Sequence, residues 1–254
     1  VDSGYGATHI VPVVDGHVIS SCIEQIDIGG RDVTAYVQQL MRERKEAVPH
    51  GMGVEVARKV KEQYSYTVPC IEKELERYDS NPAKYIKMYE DVNKMTGKTF
   101  SCEIGYERFL APEVVFNPSM YDPNIKTTLP QIVDEVIMKC PLDTRRRLYN
   151  NIVLSGGNTV FRDFSRRLQR DVKNIVDARL SNTKSKNGNI DSDTIPKDLS
   201  VNVIENNASN SSVWLGGSIL GTTNEFFDAC YTKADYEEEG SRIFRQNIAF
   251  KANL

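Results

Sequence analysis

Apolar positions along the chain change their period several times, and each change marks an element. Over residues 7–21 they alternate: ATHIVPVV and HVISS flank Asp15-Gly16, a tight-turn dipeptide, which predicts a hairpin. Pro12 inside the first arm predicts an edge position or one missing ladder bond. Beyond Gly29-Gly30 the period lengthens. Val33, Tyr36, Val37, Leu40 and Met41 fall on one helical face, and Val56, Val60 and Tyr64 repeat that spacing over 54–66. The stretch 79–97 is polar and aromatic, with a helix expected around 82–89, and TFSCEIGYERFLAPEVVF reads as one or two short strands and a turn. Leu129, Ile132, Val133, Val136, Ile137 and Cys140 form the clearest stripe and predict a helix over 128–140, with Pro130 in its first turn. DTRRRLY reads as helical and leads into a buried strand, Ile152-Val153-Leu154, then a tight loop from Ser155 to Thr159. Phe164, Leu168, Val172, Ile175 and Val176 then mark a long helix. Residues 181–200 are poor in apolar side chains and read as an exposed insertion. A strand, VNVI, and an apolar helix, SSVWLGGSILG with the only tryptophan (Trp214), follow. Thr232 to Asp235 carries a helix-start signature, and the chain ends in a polar, irregular stretch.

Two glycine loops stand out against this pattern: Asp2-Ser3-Gly4-Tyr5-Gly6 and Ser155-Gly156-Gly157-Asn158-Thr159. Each joins a strand to another element. Glycine permits close backbone approach and positive φ, and successive free N–H groups in such a loop attract phosphate oxygens. After the second loop a helix is expected at once, adding the positive end of its dipole. Two such loops suit a nucleotide; two tight turns explain the same spacing. His9, on the first hairpin arm, could orient a water near a terminal phosphate or be a structural strand histidine. Lys61 and Glu62 could meet a sugar and base edge or belong to a solvated helix face. Leu215, Ile219 and Leu220 could line a groove for a partner helix or pack into a core.

Composition narrows the classes. With 254 residues, 40% of them hydrophobic, the chain is one large or two small domains with a substantial core. A net charge of -3, with both signs mixed along the chain, argues against nucleic acid as the main partner. The five cysteines are scattered and the three histidines show no metal-ligand spacing, which predicts reduced thiols of a cytosolic compartment and no structural zinc. No apolar run is long enough to span a membrane. Gly97-Lys98-Thr99 lacks the earlier glycine of a P-loop and is rejected as one.

DSGYGATHIVPV, GGRDVTAYVQQLMRER, VKEQYSY, GYERFLAPEVVF, NIVLSGGNTVFRDF and SVWLGGSIL occur in order across nearly the whole chain. Together they resemble the second half of a member of the actin family. EVARKVKEQYSY, RRRLYNNIVLSGGNTVFRDFSRRLQRDVKNIVDARL and DYEEEGSRIF are similar to an actin-related, branch-nucleating class of that family rather than to conventional actin. The resemblance implies an α/β, actin-like ATPase (ribonuclease H-like) fold of two lobes around a nucleotide cleft. This chain would be the C-terminal portion of such a protein, roughly three-fifths of it. Residues 1–28 and 122–212 would form the inner subdomain of the second lobe, 29–121 its outer subdomain, and 213–254 the segment returning to the first lobe.

The resemblance also implies ATP and Mg2+ as cofactors. Asp2, Ser3, Gly4, Tyr5 and Gly6 match the second phosphate loop, with Asp2 acting on the metal through water. His9 matches the histidine that orders the attacking water. Gly30, Arg58, Lys61 and Glu62 match the purine and ribose pocket; Gly156, Gly157, Asn158, Val160 and Phe161 match the loop beneath the nucleotide. Leu215, Ile219, Leu220 and Thr223 match the barbed-end groove. Implied partners are actin, a sister actin-related subunit with the rest of a seven-subunit complex, and nucleation-promoting factors, in the actin-rich cortex and projections of the cytoplasm. Departures bear on catalysis. Tyr5 stands where the family places an aspartate, Asn210 where it has a basic residue, and Asn158, Val160 and Phe161 replace a threonine, a methionine and a tyrosine. They point to ATP as a structural ligand with weak hydrolysis at most. The rival expectations are a phosphotransfer enzyme of the same superfold and a nuclear actin-related subunit of a chromatin remodeller.

Overall fold

The computed structural model describes residues 1–186, 199–206 and 208–243. The chain forms two compact units, Val1–Asn210 and Ser211 onward. The first unit opens with β1 (Asp2–Ser3), β2 (Thr8–Ile10), β3 (Val13–Val14), β4 (His17–Val18) and β5 (Glu24–Ile26). β2 lies between β1 and β5, antiparallel to both, pairing Asp2 with His9 and His9 with Gln25. The expected hairpin over 7–21 exists only at its tip. β3 and β4 pair two residues each around Asp15 and Gly16, both at positive φ as a type I′ turn requires. Pro12 has no N–H to donate, and the arm breaks at its side: β2 pairs with β1 and β5 instead.

α1 (Gly30–Glu43) and α2 (Gly53–Tyr64) follow the predicted spacing, with Val33, Val37, Leu40, Met41, Val56 and Val60 buried. Next come α3 (Ile71–Ser80), α4 (Pro82–Tyr85), β6 (Lys87–Val92), β7 (Thr99–Ile104) and α5 (Glu107–Phe116). Two expectations fail here. The helix expected over 82–89 is one turn, after which β6 pairs antiparallel with β7. ERFLAPEVVF, expected as strand and turn, is helix α5 with Pro112 inside it. Proline removes the N–H that would bond the Arg108 carbonyl, and Tyr66 N–H donates to that carbonyl at 3.0 Å instead.

α6 (Leu129–Lys139) matches its stripe; Thr128 and Gln131 cap it. α7 (Leu142–Asn150) leads to β8 (Ile152–Val153), where Ile152 and Leu154 are buried but Val153 is exposed, so the strand is half buried rather than fully. α8 (Phe164–Lys186) packs against α6, and β9 (Val203–Ile204) pairs parallel with β8. The insertion expected over 181–200 lies mostly outside the described residues. A bridge between Asp2 and Ser155 joins β1 to the end of β8. The three antiparallel strands and the parallel pair therefore meet where the two glycine loops begin.

The second unit contains α9 (Ser212–Leu220), α10 (Asn224–Ala229) and α11 (Lys233–Glu239). α11 has the expected cap, Thr232 with Asp235. α9 buries none of its residues; Trp214, Leu215, Ile219 and Leu220 are exposed among the described residues. The irregular end lies outside the described residues.

Candidate functional site

The two glycine loops are 153 residues apart in sequence and adjacent in space. Ser3 N–H donates to Ser155 O at 2.9 Å, and the Ser155 hydroxyl donates to Asp2 Oδ1 at 2.6 Å. Asn158 Nδ2 donates to Gly4 O (2.9 Å) and Ser3 Oγ (3.1 Å). Gly156 has φ +88°, and a Cβ there would lie 2.2 Å from Ser3 O. Glycine is therefore required where the loops cross.

The first loop is fastened to α1 by its carbonyls. Gly30 N–H and Arg31 N–H, two of the orphan donors at that helix start, donate to Gly4 O and Tyr5 O at 2.9 Å each. Asp32 accepts from Gly29 N–H at 2.9 Å. A Cβ at Gly29 would meet Tyr5 O at 2.4 Å, so the close approach expected of the loop's own glycines falls on Gly29 and Gly156. Gly4 and Gly6 have no positive φ and no tight neighbour within the chain. With the carbonyls engaged, the N–H groups of Tyr5 and Gly6 have no protein partner among the described residues. Gly157 and Asn158 N–H groups are likewise unpaired. Four backbone donors in two touching loops make an anion-attracting arrangement. The expected dipole contribution differs: the second loop runs into a single 3-10 turn over Gly157–Val160, and α8 begins only at Phe164.

Beside these loops lies a cleft of about 460 Å³, lined by Gly4, Tyr5, Gly30, Lys61, Glu62, Ser65, Gly157, Asn158, Val160, Phe161 and Asn210. Lys61 is not on a solvated face. It is 8% exposed, and its Nζ donates to Gly30 O at 3.0 Å, its single bond to the protein among the described residues. Burial lowers its pKa, opposed by the nearby Glu62 carboxylate. Glu62 is half exposed and pairs with Arg58 at 3.3 Å. An ammonium with spare donors, unpaired backbone N–H groups, one carboxylate and an apolar wall from Val160 and Phe161 make a site for a polar, anionic ligand with an apolar flat part.

The other predicted residues stand apart from this lining. Ser3 is buried beneath the loop, bonded to Thr8 and Asn158. Asp2, Gly6 and Gly156 frame the junction without lining the cleft. Arg58 reaches it only through Glu62. His9 Nε2 lies 3.0 Å from Gln25 Oε1 on the neighbouring strand and does not line the cleft. Sequence reasoning missed Ser65, whose position just past the end of α2, four residues after Lys61, was the available signal. It noted Asn210 only as a departure. Leu215, Ile219, Leu220 and Thr223 belong to the second unit, on α9 and just before α10.

A more open hollow of about 730 Å³ runs along α8 and β9, with Arg166, Arg170 and Lys173 in its lining. Its cations are already matched, to Asp163 (3.1 Å), Asp171 (2.6 Å) and Asp177 (3.1 Å).

A family profile described as Actin matches residues 1–249. The chain belongs to the actin family. Its fold is accordingly the actin-like ATPase fold of that family, here a mixture of helix and sheet. Among similar curated proteins are those named Actin-related protein 3 from Oryza sativa subsp. indica and subsp. japonica. Each is 50% identical over 251 residues, which is 99% of this chain and 58% of the relative. The chain thus spans well under two thirds of the length of the relatives it matches. Within the family it is an actin-related protein. Among the described residues no helix is long and apolar enough to cross a membrane.

Proposed function

We propose that the chain is the ATP-binding part of an actin-related subunit of the seven-subunit complex that nucleates actin branches. Its partners would be actin, actin-related protein 2, the other subunits and nucleation-promoting factors, in the cytoplasmic actin cytoskeleton. The observation that carries this reading is the union of the two glycine loops, with four unpaired N–H groups and the buried Lys61 beside one cleft. The 50% identity to proteins named Actin-related protein 3 supports the class.

In this reading the N–H groups of Tyr5, Gly6, Gly157 and Asn158 hold phosphate oxygens. Lys61 and Glu62 meet the sugar and base edge, and Val160 and Phe161 flank the base. The two loops are already joined within one lobe, so bound ATP would link them as a unit to the other lobe. It biases closure only as far as it binds closed and open states unequally. The metal fit is narrower. Among the described residues no group of three His, Cys, Asp or Glu could hold an ion. Asp2, one oxygen already taken by Ser155, is the loop's single carboxylate, so Mg2+ would be held by phosphates and water with Asp2 beyond. Tyr5, 70% exposed in the lining, brings no charge to that task. This favours ATP as a clamp over ATP as fuel. The subdomains 1–28 with 122–212, and 29–121, would be the inner and outer parts of the second lobe, with 213–254 returning to the first. The exposed apolar residues of α9 support a docking role at the barbed end.

The test is the nucleotide content of the complete protein, purified without added nucleotide, denatured and analysed by ion-exchange chromatography. About one adenine nucleotide per chain is expected for a ligand that clamps at affinities well below its cellular concentration. Protein that is folded, assembled and free of nucleotide would sink the reading.

A further inference from the structure

The cleft contains one group that the phosphate loops do not explain. Ser65 Oγ is shielded from solvent and is the single such side-chain N or O atom among the described residues with no hydrogen-bond partner. The residue lines the cleft with Lys61 and Glu62, which lie on the last turn of the same helix. A shielded hydroxyl without a partner is costly, and native structures keep few of them.

Its surroundings select what the partner is. Ser65 is the C-terminal cap of α2, and its N–H donates to Lys61 O at 3.3 Å. This is the negative end of the helix dipole, and the Glu62 carboxylate stands on the same turn. Arg58 on α2 pairs with Glu62 at 3.3 Å, and Lys61 Nζ is directed to Gly30 O. A phosphate at this end would face the helix carbonyls and Glu62; a neutral N–H donor is favoured there. The unpaired backbone N–H groups that suit phosphate belong to the two glycine loops.

We propose that Ser65 is a base-recognition residue: its hydroxyl accepts a hydrogen bond from the amine-bearing edge of the nucleobase and sets base selectivity rather than phosphate affinity. The inference rests on the nucleotide reading above. Because the hydroxyl holds no protein bond, turning to another staggered χ1 well to reach the ligand breaks none.

The experiment compares ATP with purine riboside triphosphate, identical but for the exocyclic amine, by titration calorimetry on the complete protein stripped of co-purifying nucleotide. Wild type is expected to prefer ATP by about tenfold, the value of one neutral hydrogen bond. Ser65→Ala should cut that preference to about twofold or less, leaving purine riboside triphosphate binding unchanged. Ser65→Cys, of similar shape and weak hydrogen bonding, should read the same loss and serves if the alanine variant does not fold. Equal weakening toward both nucleotides, or an undiminished preference for ATP, overturns the proposal. Wild type binding neither compound overturns the nucleotide reading itself.

Discussion

Gly156 carries the strictest demand of any single residue at the loop junction. Its φ of +88° and the 2.2 Å approach to Ser3 O leave no room for a side chain. Gly156→Ala is expected to destabilise the complete protein by about 2 kcal/mol or more in urea unfolding. Gly157→Ala, where nothing lies within 4 Å and φ is not positive, should cost less than about 1 kcal/mol. Equal costs would contradict this steric account. Lys61 makes a pH-dependent prediction. Burial holds its pKa below the ordinary 10.5, and the charged form donates the stronger, charge-assisted hydrogen bond to the sugar and base edge. Affinity for ATP should therefore fall as pH rises through that lowered value, before 10.5 is reached. Lys61→Arg, which does not titrate there, should show no such fall in the same binding titrations. In the folding balance the sign is opposite. A lysine with a lowered folded pKa costs stability below that pKa, and the cost fades as pH rises toward 10.5. The loops' glycines were legible in the sequence, but their division of labour was not. Gly29 and Gly156 are needed because segments remote in sequence press on them, a fact carried by no local pattern.

Among the elements, α5 and α8 are joined by an ion pair with little contact with water. Arg167 Nη2 lies 3.0 Å from Glu113 Oε1, with the glutamate side chain 1% exposed. Burial pushes the Glu113 carboxyl up, while Arg167 and Asn117 pull it down. Glu113→Ala should destabilise by about 1–3 kcal/mol, since Arg167 loses its more buried carboxylate but keeps Asp171, and adding Arg167→Met should cost less than the two single losses summed. Chemical unfolding of the single and double variants checks both values; additive losses would contradict the pairing. Helices with long apolar stripes, such as α1, α2 and α6, were readable from sequence because their buried faces are wide. α5 was not, because Pro112 advertises a break that the Tyr66 N–H repairs from another segment. α3 offers only Ile71, Leu75 and Tyr78 at helical spacing amid charge, and it buries none of its residues fully. β6 (KMYEDV) places its apolar residues at Met88, Tyr89 and Val92 without alternation and follows a proline-started helical turn, so the strand was hidden.

At the scale of the molecule, the fold class and most of the cleft lining followed from motifs preserved across the chain. The absence of Arg58 and His9 from the lining did not, because side-chain partners such as Glu62 and Gln25 decide it. If ATP is a clamp, stripping it from the complete protein should loosen assembly with the other subunits, seen as dissociation in sizing chromatography and restored by added ATP. Assembly indifferent to nucleotide would leave the cleft without that role. The central claim is that the two joined loops and Lys61 hold a nucleotide, and calorimetric titration of ATP into the complete protein, first stripped of co-purifying nucleotide, tests it most directly. One site of micromolar or tighter affinity is expected, weakened about tenfold or more by Lys61→Ala, the loss of a charge-assisted hydrogen bond. No binding at millimolar ATP, or binding that the lysine substitution leaves unchanged, would contradict the account.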